Sequence, residues 1–391
     1  MQFTSSLSLS NECSQATNEI LDQTLARIDP EEVGLAILFS SGHDADELDK
    51  VADQIKATFV NAVSIGTTAE GTIASDRELE SRHALVLMVG HLPGVDVKPF
   101  HLPPHRLADC EDLTELVTTE NESSPTFLAF GDPYTCDIHR FLQLVNESFP
   151  GAALLGGLAS GSPQPGGNRL LLNGFLHDEG LVGLTLSGNI RVETVVSQGC
   201  RPIGKHFIIT GGEGNVIFEL GGSPVIEVLQ QIIAALPEAD QALLRRGLFV
   251  GRVIDEVKRP LARGDFLIQN VIGVDQESGS LAVSGEVKRG TTVQFHVRDA
   301  RSADEDLRQL LAPHAEDSGV SPPSAALLFS CNGRGTRMWS ETDHDISVLR
   351  ELCGRIPTAG FFCAGELGPV GGKNFIHGFT ASIGLLRPAE E

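Results

Sequence analysis

The stretch LLFSCNGRG, Leu327–Gly335, has the pattern of a short buried strand that runs directly into a turn with a thiol and a guanidinium. A second apolar run with a similar ending follows in AGFFCAGELGP, Ala359–Pro369. A helical pattern at Ile346–Cys353 separates the two runs, and a further strand pattern covers Phe375–Leu385. The stretch therefore predicts a β-α-β-β unit with polar residues at strand ends, where α/β proteins usually bind ligands.

The same order of elements occurs twice more in the N-terminal half. The predicted strand, helix and second strand are Leu35–Phe39, Ala45–Phe59 and Val63–Gly71 in the first copy, and Phe127–Phe130, Ile138–Phe149 and Ala153–Gly161 in the second. Further strands at His83–Val89 and Gly180–Leu186 complete the two copies. Repeated β-α-β-β units predict an α/β fold whose mixed β-sheets carry helices on their outer faces.

The chain length predicts two domains, because 391 residues exceed what one hydrophobic core usually serves. Strand patterns dominate between the second and third copies and give way to a helical pattern near residue 222. We therefore predict an N-terminal extension at residues 1–29, an N-terminal domain at 30–221 and a C-terminal domain at 222–386.

Composition excludes several classes of function. The formal net charge of −23 opposes nucleic acid and anionic membrane surfaces as partners. No basic leader precedes an apolar segment, and no apolar run approaches the roughly 20 residues that span a bilayer. Seven scattered cysteines without a CxxC pair argue against a disulfide framework or a zinc knuckle. We expect a cytoplasmic protein.

Three residues near the end of the chain carry chemistry at predicted strand ends. Cys331 follows a buried strand with Arg334 nearby, so it is either a reactive thiolate or a small buried hydrophobe. Arg334 suits a ligand carboxylate or a structural ion pair with an acid such as Glu366. Together, Arg334 and Glu366 suit the two charges of an amino acid.

His377 lies in a strand pattern between Ile376 and Gly378. A histidine on an apolar face is more often a hydrogen-bonded core residue than a ligand, but His377 is also the first candidate for a haem ligand. His139 and His206 are weaker candidates. Asn332 and Thr380 belong to the same motifs and complete the predicted ligand-binding set of Cys331, Asn332, Arg334, Glu366, His377 and Thr380.

A catalytic arrangement is the third alternative, with Cys331 as nucleophile, His377 as base and Glu366 as the orienting acid. No nucleophile elbow and no HExxH spacing accompanies these residues. We therefore expect a binding protein rather than an enzyme. No catalytic residue and no metal ligand is assigned, apart from His377 in the case of haem.

Several motifs resemble the FIST family (F-box and intracellular signal transduction). They are GGLASG at Gly156–Gly161, QGCRPIG at Gln198–Gly204, GDFLIQN at Gly264–Asn270, FHVRD at Phe295–Asp299, FSCNGRG at Phe329–Gly335, GFFCAGE at Gly360–Glu366 and HGFT at His377–Thr380. They occur in the order expected for a FIST N-terminal domain followed by a FIST C-terminal domain, over about residues 30–386.

The resemblance implies an intracellular sensor of small ligands, with amino acids as the proposed ligand class. FIST domains occur beside bacterial signalling modules, and some bacterial members resemble haem-binding nitric-oxide sensors, which makes haem a possible cofactor here. No kinase, cyclase or F-box pattern accompanies the two domains. We therefore expect a bacterial sensory protein whose partners are a small molecule and a separate signalling protein, with no nucleic acid and no membrane.

Overall fold

The computed structural model describes residues 1–114, 125–244, 247–261, 264–275, 277–315 and 318–389. These residues form two compact units. Unit 1 combines Met1–Val196 with Arg308–Glu391, and unit 2 consists of Ser197–Leu307. The predicted boundary between residues 221 and 222 stays a prediction, since the compact units divide the chain elsewhere.

The first copy of the repeat follows an N-terminal strand and helix. In chain order its elements are β1 (Gln2–Ser8), α1 (Cys13–Leu25), β2 (Leu35–Ser41), α2 (Leu48–Thr58), β3 (Val63–Ala69), β4 (Gly71–Ile73), β5 (Glu78–Glu80) and β6 (Ala84–His91). Every residue of β2 is buried, as expected for a strand covered on both faces. Helix α2 buries Leu48, Val51, Ala52 and Ile55, which are spaced to lie along one face.

The second copy repeats this order. Its elements are β7 (Val95–Leu102), α3 (Pro104–Asp109), β8 (Thr126–Gly131), α4 (Ile138–Ser148), β9 (Leu154–Leu158), β10 (Leu170–Leu172), β11 (Phe175–His177) and β12 (Leu181–Gly188). Asp137 caps α4, because its side chain accepts a hydrogen bond of 3.0 Å from the Arg140 N–H.

Strand β13 (Arg191–Ser197) leads into unit 2. The elements up to the third copy are β14 (Cys200–Glu213), β15 (Val216–Leu220), β16 (Ser223–Pro224), α5 (Val225–Ala235), α6 (Glu238–Leu244), β17 (Leu248–Val253), β18 (Phe266–Asp275), β19 (Ser280–Val283), β20 (Thr292–Arg298) and α7 (Ala300–Leu311). Strands β14, β20, β17, β18, β19 and β15 pair in that order, and β15 pairs again with β14. Unit 2 is therefore a closed antiparallel barrel, and α5 packs its apolar side chains into the barrel's core.

The third copy returns the chain to unit 1. Its elements are β21 (Ala325–Cys331), α8 (His344–Cys353), β22 (Thr358–Cys363), β23 (Glu366–Val370), β24 (Lys373–His377) and β25 (Ala381–Arg387). In each copy the strands before and after the central helix (β2 and β3, β8 and β9, β21 and β22) are parallel and are called below the first and second strands. The last strand (β6, β12 or β25) pairs antiparallel with the first. The predicted α/β fold with mixed sheets and repeated β-α-β-β units is confirmed.

The three sheets of unit 1 have the same strand order. They are β1-β6-β2-β3-β10-β11, β7-β12-β8-β9-β23-β24 and β13-β25-β21-β22-β4-β5. Each copy therefore contributes a two-stranded hairpin to the sheet of another copy. The first copy's hairpin, β4–β5, lies in the third sheet, the second copy's, β10–β11, in the first sheet, and the third copy's, β23–β24, in the second sheet. Residues 1–29, set apart as an extension by the sequence, supply β1 to the first sheet.

Four phenylalanines pack where the inner faces of the three sheets meet. Phe39, Phe130 and Phe329 occupy the fifth position of the first strand of each copy, and their ring centroids lie 5.5 to 6.3 Å apart. Phe361 on β22 contacts all three rings. Each buried side chain of this type stabilises the fold by roughly 1.5–3 kcal/mol, so the cluster joins the three copies firmly.

A glycine recurs opposite this cluster in the second strand of each copy. A Cβ at Gly66, Gly156 or Gly360 would lie 2.1, 1.9 or 1.8 Å from a carbonyl oxygen of the parallel neighbouring strand. No side chain fits at such a distance. The repeated glycines therefore serve the close approach of two strands.

Candidate ligand-binding cleft

A cleft of unit 1 lies where the parallel strands of all three copies end. Its volume is about 690 Å³, within the usual range for small-molecule sites. The residues directly after the first strand of two copies, Gly42 and Asn332, line it, together with Pro133 from the same loop of the other copy. Ligand sites of α/β proteins are commonly found at such carboxyl ends of strands.

The second strands contribute a matching set. Three residues of the cleft stand at equivalent positions, because each directly precedes a glycine that recurs after the second strand. They are Glu70 before Gly71, Ser160 before Gly161 and Ala364 before Gly365. A carboxylate, a hydroxyl and a methyl group thus occupy one structural position in the three copies. The three copies therefore surround the cleft with equivalent backbone positions, and the different residue types at these positions make the cleft chemically asymmetric.

The first copy supplies the charges of the cleft. Arg82 and His83, just before β6, are exposed and line it. Across the described ranges, no acid forms an ion pair with Arg82. The second copy contributes the phenol of Tyr134, and the third contributes the amide of Asn332. The Oδ1 atom of Asn332 is buried and accepts no hydrogen bond from any residue that the structure describes.

Ser160 joins the three copies at the cleft. Its hydroxyl accepts a 2.9 Å hydrogen bond from the Glu70 N–H and donates one of 2.5 Å to the Phe362 carbonyl. Its own N–H donates to the Thr68 carbonyl at 3.3 Å. Because these bonds link the second strands of the first and third copies through the second copy, they hold the floor of the cleft in place.

The segment between β21 and α8, residues 332–343, is called here the long connection. It lines the cleft through Asn332, and its part around Arg337 forms a wall behind Glu70. The Thr336 N–H and hydroxyl each donate a 2.8 Å hydrogen bond to the carboxylate of Glu80. The Arg337 guanidinium pairs with Glu70, with 3.1 Å between Nη1 and Oε2, and donates to the Asn332 carbonyl at 2.7 Å. The wall is therefore tied to the hairpin of the first copy.

Arg334 is fully buried inside this wall. Its Nε and Nη2 atoms each donate a 2.7 Å hydrogen bond to the two carboxylate oxygens of Asp345, and Nη1 donates to the Phe379 carbonyl at 3.4 Å. Burial acts to raise the pKa of Asp345, but the charge and hydrogen bonds of Arg334 outweigh it and hold that pKa well below its usual range. Arg334 is therefore engaged in a structural ion pair, and its acid partner is Asp345 rather than Glu366.

Glu366 is also completely buried, but no arginine forks onto it. One carboxylate oxygen accepts a 3.1 Å hydrogen bond from the Thr380 N–H, and the other has no partner among the described residues. Burial raises the pKa of Glu366 to about 8. The Glu366 carboxyl is therefore largely protonated at neutral pH.

The thiol of Cys331 lies beside this carboxyl group. Burial, assisted by the negative charge of Glu366, raises the pKa of Cys331 to about 12. Cys363, the register partner of Cys331 on β22, also has a pKa well above its usual value because of burial. Since the thiolate is the nucleophile, neither sulfur is activated at neutral pH.

His377 pairs with Glu366 across β23 and β24 and is buried. Its Nε2 atom lies 2.9 Å from the Gly368 carbonyl, and burial lowers its pKa to about 4. His377 does not line the cleft, and its Nδ1 atom has no hydrogen-bond partner among the described residues, so its role as a haem ligand stays a prediction. Of the alternatives, His206 stacks on Phe266 at 5.8 Å in unit 2 and His139 lies in the first turn of α4.

The six predicted site residues thus fall into three groups. Asn332 lines the cleft, and Arg334 lies in the buried ion pair. The half-buried Cys331 lies with the buried Glu366, His377 and Thr380 in a polar group that does not line the cleft. Their role in ligand binding stays a prediction. Sequence reasoning missed Glu70, Arg82, Tyr134 and Ser160. The signal that could have identified Glu70 and Ser160 is their equivalent position in the repeated units.

Two further properties concern cofactors and membranes. Among the described residues, no three His, Cys, Asp or Glu side chains come close enough to hold a metal ion. No helix within the described ranges combines the length and the apolar character that crossing a bilayer requires.

Comparison with known proteins extends the resemblance across the chain. The chain is 40% identical over 352 residues to the uncharacterized protein Rv0628c of Mycobacterium tuberculosis, covering 90% of this chain and 91% of the relative. It is 37% identical over 372 residues to the uncharacterized protein Mb0898c of Mycobacterium bovis, covering 95% of each.

Family models match both halves of the chain. The FIST N domain matches residues 34–223 and the FIST C domain matches residues 226–369. FIST domains are associated with small-ligand sensing in signal transduction. Since the two matches cover nearly the whole sequence in the expected order, the chain belongs to the FIST family.

Proposed function

We propose that this protein is a sensory protein that holds a free amino acid in the cleft of unit 1 and passes the signal to a separate partner protein. The observation that carries this proposal is the convergence of strand ends from all three copies on one cleft with a cation, Arg82, that no acid among the described residues pairs with. The proposal moves the ligand contacts from the buried Arg334 and Glu366 to the cleft residues Arg82, Asn332 and Glu70.

The cleft groups match the two charges of an amino acid. Arg82 has five N–H donors in a planar fork, which suits a carboxylate, and no described acid competes for it. The Glu70 carboxylate and the Asn332 Oδ1 atom are acceptors for an ammonium group. A ligand with both groups would also satisfy the unpartnered oxygen of Asn332, whose burial is otherwise costly.

Binding without catalysis is the proposed activity. The Cys331 and Cys363 thiols have raised pKa values, and neither lines the cleft. A nucleophile that stays protonated and lies away from the cleft does not favour a thiol-dependent reaction.

A thermal-shift screen with the twenty L-amino acids tests the proposal, followed by calorimetry on the best binder. Arg82→Ala and Asn332→Ala are each expected to weaken binding about tenfold to a hundredfold, the effect of losing a hydrogen bond with a charged group. Arg355→Ala is the matched control, because Arg355 is exposed and precedes β22 at the end away from the cleft. Unchanged affinity in both cleft variants would refute the site.

A further inference from the structure

The three connections from first strand to helix are unequal. Six residues separate Ser41 from Leu48 and Gly131 from Ile138, but twelve separate Cys331 from His344. The long connection is therefore the one place where the third copy departs in length from the other two around the cleft. It also contains Trp339, the single tryptophan of the chain.

The long connection is held unevenly along its length. Near its start, Arg334 is 0% exposed and bonded through two atoms to Asp345. Beyond it, Thr336 and Arg337 are exposed, and their described side-chain contacts are polar bonds to Glu80, Glu70 and the Asn332 carbonyl. Exposed polar bonds contribute little stability, so the bonds of Thr336 and Arg337 hold the long connection more weakly than the buried pair does.

Glu70 is placed to serve both the wall and a ligand. It lines the cleft, and it also lines a hollow of about 10 Å³ between itself, Glu80, Asn332 and Arg337, room for one water molecule at most. Its carboxylate is partnered by the Arg337 guanidinium on the side of the wall. A second cation arriving from the cleft would meet the same carboxylate.

We propose that residues 335–339 of the long connection are a movable wall, latched by the Glu70–Arg337 ion pair and released when a ligand ammonium group takes Glu70. This inference rests on the proposed function for the identity of the ligand, but the latch itself exists without one. The buried Arg334–Asp345 pair is the fixed end about which the wall moves. Release changes the surface around the cleft, which is what a separate partner protein would recognise.

Trp339 reports on the wall. Its ring stacks on His344 with centroids 3.4 Å apart, and the Arg334 guanidinium lies 5.6 Å from it. His344 and Arg334 belong to the fixed end, so movement of residues 335–339 separates the ring from both. Because the chain has no other tryptophan, its tryptophan fluorescence reports only on the surroundings of Trp339.

The latch is tested first without any ligand. Glu70→Gln and Glu70→Ala in the full chain are compared with wild type by acrylamide quenching of Trp339 and by hydrogen exchange of residues 335–339. Acrylamide quenching and hydrogen exchange are both expected to increase in the two variants. Exchange should increase by up to about fivefold, which corresponds to the loss of an exposed ion pair. Glu351→Gln is the matched control, because Glu351 also pairs with an exposed arginine, Arg308, at 2.8 Å. Exchange and quenching equal to wild type in both Glu70 variants would overturn the latch.

The second arm uses the L-amino acid that raises Tm most in the thermal-shift screen. Saturating amounts are expected to reproduce the change in Trp339 emission and exchange seen in Glu70→Gln, and to add little in that variant. Binding by calorimetry without any change at Trp339 would overturn the movable wall while leaving the proposed function in place. If no amino acid binds, the proposed function fails and the Glu70 variants decide the latch alone.

Discussion

Two arginines three positions apart in the long connection form ion pairs that differ in almost every physical respect. Arg334 and Asp345 are 0% and 1% exposed in their side chains, and two bonds of 2.7 Å join them. Arg337 and Glu70 are 54% and 31% exposed. Burial makes a broken pair costly, because the remaining charge has neither water nor a partner. Exposure makes a broken pair cheap, because water replaces the partner.

The comparison shows why one segment can be anchored and movable at once. The buried pair fixes the start of the long connection to the first turn of α8. The exposed pair holds the rest of the segment to the hairpin of the first copy. Residue type alone does not distinguish the two arginines, since each has a carboxylate partner. The tertiary environment assigns them different tasks.

Arg334→Met removes the buried ion pair and is expected to have the largest effect on the free energy of unfolding. Asp345 would remain buried without the guanidinium, with the His344 ring at 3.0 Å and the Ser330 hydroxyl as its remaining side-chain partners, at a cost of up to about 3–5 kcal/mol in the free energy of unfolding measured by urea denaturation. The double variant Arg334→Met/Asp345→Leu is expected to recover much of this loss, because it removes both charges. A double variant as unstable as the single one would contradict the explanation.

Glu366→Gln sharpens the comparison, since Glu366 is buried like Asp345 but lacks an arginine partner. The raised pKa of about 8 means that the stability from this group is complete below about pH 4.5 and is lost as pH rises to 8. The variant has no carboxyl to ionise at this position, so its free energy of unfolding should not fall in this way. Relative to wild type, its free energy of unfolding should therefore increase from pH 4.5 to 8 by an amount on the order of a few kcal/mol.

Urea denaturation at pH 4.5, 6 and 8, a range set by the ordinary and raised pKa values, measures this difference. Glu351→Gln, at an exposed carboxyl, serves as the control for the Glu→Gln substitution itself. A pH-independent difference for Glu366→Gln would show that the buried carboxyl is ionised in the folded protein.

Gly335→Ala tests the link between the two arginines. Gly335 has a φ of +54°, and an added Cβ would lie 2.5 Å from a Glu80 carboxylate oxygen. Left-handed strain costs about 1–2 kcal/mol, and displacing Glu80 adds the loss of its bonds from Thr336. Gly372→Ala is matched for strain, with a φ of +77° and no neighbour within 4 Å. Thermal unfolding should rank Gly335→Ala as the less stable, and equal Tm values would rule out the contact with Glu80.

Arg337→Met breaks the exposed pair and is expected to have the smallest effect on global stability. The free energy of unfolding should change by about 0.2–1 kcal/mol, and the difference from wild type should shrink as salt is added. Urea denaturation at low and high ionic strength measures both. A loss comparable to that of Arg334→Met would mean that the two pairs are not different in kind.

Much of the fold could be predicted from local pattern. The helix predicted at Ile138–Phe149 is α4 at Ile138–Ser148, and the strand predicted at Leu35–Phe39 is β2 at Leu35–Ser41. The helix predicted at Ala45–Phe59 is α2 at Leu48–Thr58, which begins three residues later. The buried side chains that specify these elements stand at regular spacings, which a single sequence displays directly.

The candidate site could be predicted only in part. Asn332 was found because it follows a strand, and it does line the cleft. Arg334 follows the same strand, but its side chain turns inward to Asp345, eleven residues further along the chain. Arg82 lies in the first copy, whose relation to Asn332 depends on packing between copies. Sequence position orders residues along a chain and does not say which strand ends meet.

By itself, the sequence determined the three β-α-β-β copies and the family, because hydrophobic periodicity and short motifs are local properties. Only the tertiary structure decided that each copy gives its hairpin to another sheet, and that six strand ends from different copies surround one cleft. It also decided which carboxylate is charged. Asp345 and Glu366 are both buried acids, but their pKa values shift in opposite directions, because the bonded Arg334 guanidinium outweighs burial at Asp345 and burial dominates at Glu366.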